Sequence, residues 1–125
     1  MGQAIVKAAR DRDLYLIWSS EIDNAIWVGL RDGLIEHLRA TERQEPGRTA
    51  EERVARADRR GTSMLDCDWY GWDHEALTVG EGSPPDGWYH IRRDRLVEYA
   101  GALLADDEAA AVALLECWQR HDEPD

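Results

Sequence analysis

The chain has 125 residues, 43% of them hydrophobic, and a formal charge of −11. That length suits one domain with one core, the composition excludes a disordered chain, and no apolar run approaches the ~20 residues that span a bilayer. The charge is uneven: residues 1–60 carry 11 basic and 11 acidic residues, whereas residues 61–125 carry 4 and 15, so the whole excess belongs to the second half. An acidic field of this kind repels nucleic acid and anionic membrane and attracts basic partners, although solubility alone also accounts for acidity.

The N-terminus MGQAIVKAARDRD lacks the long apolar region and small-residue cleavage site of a signal peptide, so a cytoplasmic protein is expected. Cys67 and Cys117 are then expected as separate reduced thiols. Short apolar runs at 4–9 (AIVKAA), 14–18 (LYLIW) and 25–28 (AIWV), broken by RDRD and SSEIDN, predict an antiparallel meander. Leu30, Leu34 and Leu38 with Ile35 recur at helical spacing and predict an amphipathic helix over 31–42, with His37 at its packed boundary.

RQEPGR at 43–48 reads as a loop. Thr49-Ala50-Glu51-Glu52 then matches a capping box, predicting a helix over 50–60 that Gly61 terminates. Arg53, Arg56 and Arg60 share one face of it, a possible phosphate-binding row, but Glu51, Glu52 and Asp58 cancel most of the charge by count. Direct nucleic-acid binding is therefore not expected.

ALTV at 76–79 and GWYHI at 87–91 predict two strands joined by GEGSPPDG, a turn sequence. Leu96, Val97, Ala100, Leu103 and Leu104 form one apolar helix face, and Ala111, Val112, Leu115 and Trp118 another, with Asp106-Asp107-Glu108 favouring a fresh helix start between them. A helical hairpin would end the fold, and residues 120–125 would fray. The expected architecture is a single α+β domain, a small antiparallel sheet built from the meander and the later hairpin, packed against about four helices.

The densest chemistry lies at 66–75, DCDWYGWDHE. Asp66, Asp68 and Gly71 fall at positions 1, 3 and 6 of a calcium loop, but Tyr70 and Leu77 stand where the fifth and twelfth positions need oxygen ligands. Cys67 and His74 are two zinc ligands without two more, so no metal or other cofactor is expected. Nucleophile motifs and Gly-rich phosphate loops are absent, and no catalytic residue is assigned. Read as a strand, 66–74 has no cleanly apolar face, which points to a loop or edge strand mixing aromatic anchors with acids. It is either the margin of the core or a partner-binding surface.

The functional expectation is a non-catalytic protein-binding module that docks on a basic protein. In its sharpest form it is a stoichiometric inhibitor or decoy of a basic nucleic-acid-handling protein, of the immunity or anti-defence type. Trp69, Tyr70, Trp72 and Trp88 would be anchors, and Asp66, Asp68, Asp73 and Glu75 charge partners. The alternative is a small enzyme or small-molecule binder with a pocket near Asp73, His74 and His90.

One local feature is testable from sequence alone. Thr49→Ala removes the side-chain acceptor of the capping box and is expected to lower stability by about 1 kcal/mol, measured by denaturant unfolding. An unchanged midpoint would mean that no cap forms there.

Overall fold

The computed structural model describes residues 3–65, 70–79 and 88–118. Three strands open the chain: β1 (Gln3–Lys7), β2 (Tyr15–Ser19) and β3 (Asn24–Gly29) form an antiparallel sheet in that order, with Ile5 opposite Ile17 and Tyr15 opposite Gly29. β2 is buried along its whole length because both faces of this sheet are covered. Ile5, Tyr15 and Ile17 cluster with Leu34 and Leu38 of α1 (Arg31–Thr41) and with Val54 and Ala57 of α2 (Ala50–Arg60). Ala4, Val6, Leu16 and Trp18 belong to the other side, with Leu77, Ile91, Leu96 and Tyr99. Strand alternation sends odd and even positions to opposite faces, and double coverage makes both sets apolar. These segments therefore read as unbroken apolar runs.

α1 begins without a side-chain cap of its own; the Asp13 carboxylate accepts from the Arg31 N–H at 2.8 Å instead. His37 stacks on Trp27 with ring centroids 5.4 Å apart, the boundary position its spacing implied. In α2 the capping box forms as expected: Glu52 N–H donates to Thr49 Oγ1 at 3.2 Å, and Thr49 N–H donates to Glu52 Oε1 at 3.0 Å. After α2, Thr62 bridges Val6, and Ser63 exchanges hydrogen bonds with Ile5, so this segment covers the outer edge of β1.

A second antiparallel sheet has the order β4 (Ala76–Val79), β5 (Trp88–Arg92), β6 (Glu116–Trp118). The GEGSPPDG turn lies outside the described residues, as does the 120–125 tail. A 3-10 turn (Arg93–Arg95) leads into α3 (Leu96–Leu104), and α4 (Glu108–Ala113) starts where Asp107 accepts from the Ala110 N–H at 3.1 Å. The last apolar face was expected to be helical through Trp118. Instead α4 stops at Ala113 and residues 116–118 pair with β5. An open strand edge carries a row of backbone groups that need partners, and a run of Leu, Cys and Trp serves as a strand as readily as a helix. The described residues thus form a single α+β domain of two small sheets and four helices, none of the helices long and apolar enough to cross a membrane.

One polar cluster fixes α2 to the first sheet. Asp58 accepts from Tyr15 Oη at 2.5 Å and from Arg31 Nη1, and lies 3.2 Å from Lys7 Nζ. Burial disfavours the ionised carboxyl, but these donors outweigh it and hold Asp58 below the ordinary carboxylate range. Tyr15 moves the other way: burial, then its bond to Asp58, pushes the phenol up to about 12.

Asp58→Asn is expected to cost about 1–2 kcal/mol at neutral pH, since it strips partly exposed donors of a charged acceptor. The folded-state pKa lies below the unfolded value of 3.8, so this stabilisation is full above pH 3.8 and is lost as pH falls through the folded value. The difference between wild type and variant in denaturant midpoint should therefore close in that acid window. A difference that persisted there would assign Asp58 to packing alone.

Candidate functional site

Residues 70–75 close against the C-terminal end of α2. Tyr70 takes the left-handed backbone (φ 68°) and its N–H donates to His74 Nδ1 at 2.9 Å, while the His74 N–H donates to the Gly71 carbonyl at 3.1 Å. This turn is held by its own side chain. Nδ1 accepts only if it carries no proton, and burial followed by the Arg93 charge holds His74 below the ordinary 6.5.

Trp72 reaches the helix itself. Its backbone N–H donates to the Arg60 carbonyl at 3.1 Å and its Nε1 to the Arg59 carbonyl at 2.9 Å. A helix leaves its last carbonyls without intrahelical donors, so the indole acts as a cap supplied from outside. Gly61 ends α2 at φ 84°, where a side chain would be strained, and a Cβ there would stand 2.7 Å from Arg93 Nη2 and 2.8 Å from Trp72 Cδ2.

Arg93 closes the arrangement. Only 7% exposed, it donates from Nε to Gly71 O at 2.9 Å, from Nη1 to Ala8 O at 3.2 Å and from Nη2 to Gly61 O at 3.1 Å. Its guanidinium lies 4.8 Å from the Trp72 ring centroid, and Arg10 lies at the same distance from that ring. Burial, then the charge of Arg10, pushes Arg93 down to about 10, which leaves it cationic at neutral pH. Sequence reading missed this residue; in IRRDR it differs from exposed Arg92 by one position and by nothing else visible.

The candidate partner-binding residues separate into groups. Tyr70 is 6% exposed and packs beside Trp18, ring centroids 6.3 Å apart, within the core. Trp72 is half-buried in the arrangement above, and Asp73 and Glu75 are exposed. Asp66, Asp68 and Trp69, with Cys67, lie outside the described residues, as does the Trp88 side chain, although Trp88 begins β5. His74 and His90, expected near one pocket mouth with Asp73, sit on different elements. His90 Nε2 lies 3.4 Å from Glu116 Oε1 across the β5–β6 pair, and His74 is engaged by Tyr70. Among the described residues, no group of three His, Cys, Asp or Glu side chains could hold a metal ion.

A second surface was not singled out by sequence. Leu104 and Val112, expected on buried helix faces, are 52% and 57% exposed. Between them lie Asp106, at φ 58°, Asp107 and Glu108, all exposed. Glu108 and Val112 are four residues apart on α4 and therefore share a face. No family model, curated protein or solved structure matches the chain.

Arg93→Met keeps an aliphatic stem but removes three charged donors at once, from the Ala8, Gly61 and Gly71 carbonyls, of which Gly61 and Gly71 keep only the backbone N–H of Lys7 and of His74. The expected loss is on the order of 3–5 kcal/mol in denaturant unfolding. Gly61→Ala acts on the same contact by displacing Nη2 and the indole, so the double variant should lose clearly less than the sum of the two single losses. Strict additivity would show that Gly61 and Arg93 stabilise the fold separately.

Proposed function

We propose that the protein is a non-catalytic binding module whose acidic second half docks on a basic, partly apolar protein surface. The observation that carries this is the α3–α4 corner, where two large apolar side chains stand in solvent beside Asp106, Asp107 and Glu108. None of these three carboxylates has a cation within ion-pair distance among the described residues. Arg92 and Arg95, by contrast, are taken up by Asp94 and Glu98. Exposed Asp73 and Glu75 add to the same charge on the 70–75 loop.

Such a surface divides the work of recognition. Exposed carboxylates clustered in this way attract a basic partner over a distance, which raises the association rate. Leu104 and Val112 supply contact area that is released from water only on docking, which slows dissociation. Tyr70 belongs to the core and Trp72 caps a helix, so in this proposal the apolar contacts come from α3 and α4. A partner that normally holds nucleic acid presents the required basic face, and occupying that face would make the module a stoichiometric inhibitor or decoy.

The test is affinity capture from the host, followed by binding kinetics with the partner obtained. Raising salt from about 50 to about 500 mM should slow association by about tenfold while dissociation changes less. Asp106→Asn with Glu108→Gln should likewise slow association; asparagine tolerates the left-handed backbone at 106, and Asp107 is retained because it caps α4. Val112→Ser should instead speed dissociation. An acidic partner, or an association rate indifferent to salt, would sink the proposal.

A further inference from the structure

The arginines of α2 are balanced by acids in the sequence but not in space. Asp58 is occupied by Tyr15, Arg31 and Lys7 on the side facing the first sheet. Glu51 pairs with Arg39, and Glu52 is held in the capping box by Thr49. Asp58 and Glu51 are therefore committed elsewhere, and Glu52, fixed in the cap, acts on Arg56 only through space.

What remains opens on a cleft of about 760 Å³ between the 42–48 loop and α2, lined by Arg43, Arg48, Arg53 and Arg56 with Met64 and Leu65. Two carboxylates reach it: Glu42 lies 2.8 Å from Arg53, and Glu45 is 3.8 Å from Arg43. Among the described residues, neither Arg48 nor Arg56 has a carboxylate within ion-pair distance. Arg56 is instead fixed by backbone, donating from Nη1 to Ser63 O at 3.1 Å and from Nη2 to Gly47 O at 3.4 Å. Burial, then the neighbouring charges of Arg59, Arg53 and Arg60, disfavour its protonated form, and the charge of Glu52 opposes them as the smallest influence. A cation oriented by carbonyls, crowded by other cations and left without a direct carboxylate partner among the described residues is preorganised for an anion.

We propose that this cleft binds a small phosphorylated ligand, its phosphate held between Arg48 and Arg56 and its organic part laid against Met64 and Leu65. Guanidinium geometry matches phosphate through paired N–H donors, and the cleft volume falls in the range that holds small molecules. Leu65, 54% exposed, gives the wall an apolar surface that water covers when the cleft is empty. A compact ligand is favoured over nucleic acid because the chain carries −11 overall. Screening over roughly 8 Å confines the cleft's positive potential to its own neighbourhood, and an extended polyanion would run across acidic surface. The site uses none of the α3–α4 residues and stands independently of the docking surface there.

Pyrophosphate and inorganic phosphate are the probes, titrated by calorimetry at a single ionic strength fixed with sodium chloride. Saturable binding is expected, tighter for pyrophosphate. Arg48→Gln should weaken it about tenfold and Arg48→Gln with Arg56→Gln about a hundredfold, while Arg92→Gln, outside the cleft, leaves it unchanged. Should the double variant fail to fold, Arg48→Gln decides alone, since that exposed side chain forms no hydrogen bond or ion pair among the described residues. The proposal is overturned by the absence of saturable heat, by undiminished affinity in Arg48→Gln, by equal weakening in Arg92→Gln, or by a short single-stranded oligonucleotide binding more tightly than pyrophosphate.

Discussion

A buried guanidinium that meets no carboxylate among the described residues organises this fold. Arg93 follows directly on β5, yet its donors end on the backbone of Ala8 beyond β1, Gly61 at the end of α2 and Gly71 in the loop after it. Removing a cation from water is costly, and here the compensation comes from carbonyl dipoles and an aromatic face. The location suits it, because the C-terminal end of a helix carries partial negative charge on unpaired carbonyls. Trp72 satisfies two of these carbonyls and Arg93 takes the Gly61 carbonyl beyond them. One side chain thereby ties both sheets, α2 and the 70–75 loop together.

The same helix shows how net charge misleads when it is counted along a chain. α2 presents Asp58 to one side and arginines to the other. Asp58 binds α2 to β1, β2 and the start of α1, and the arginines line a cleft with the 42–48 loop. In the second half, ion pairs within two or three residues neutralise Arg92 and Arg95, so the acids of the α3–α4 corner keep their charge. The molecule is therefore acidic overall, with a confined basic cleft on α2 and an acidic, partly apolar corner at α3–α4. Recognition of an anion at one and of a basic surface at the other are chemically compatible because they use different elements.

Features encoded within a few residues were legible in the sequence. The capping box at Thr49 and Glu52, the stop at Gly61, the three-stranded meander and the cap at Asp107 all depend on short-range geometry, and each occurs where spacing implied. Charge asymmetry between the halves was legible too, as a count. The roles of Tyr70 and Trp72 were not, because an aromatic residue suits a core, a helix cap or an interface equally well, and the choice rests on partners such as Trp18, Arg59 and Arg93.

Sequence by itself determined the class of fold, both ends of α2, the start of α4 and the placing of acids in the second half, since periodicity and capping act over one or two turns. Only the tertiary structure decided that Arg93 is buried while Arg92 is exposed, that residues 116–118 leave the helix for β5, and that Asp58 and Glu51 pair away from the α2 arginines. Each of those outcomes is a competition for hydrogen-bond partners between segments distant along the chain. Arg93 and Ala8 are 85 residues apart, and no local pattern records which carbonyls a guanidinium will find once the helices and sheets have packed.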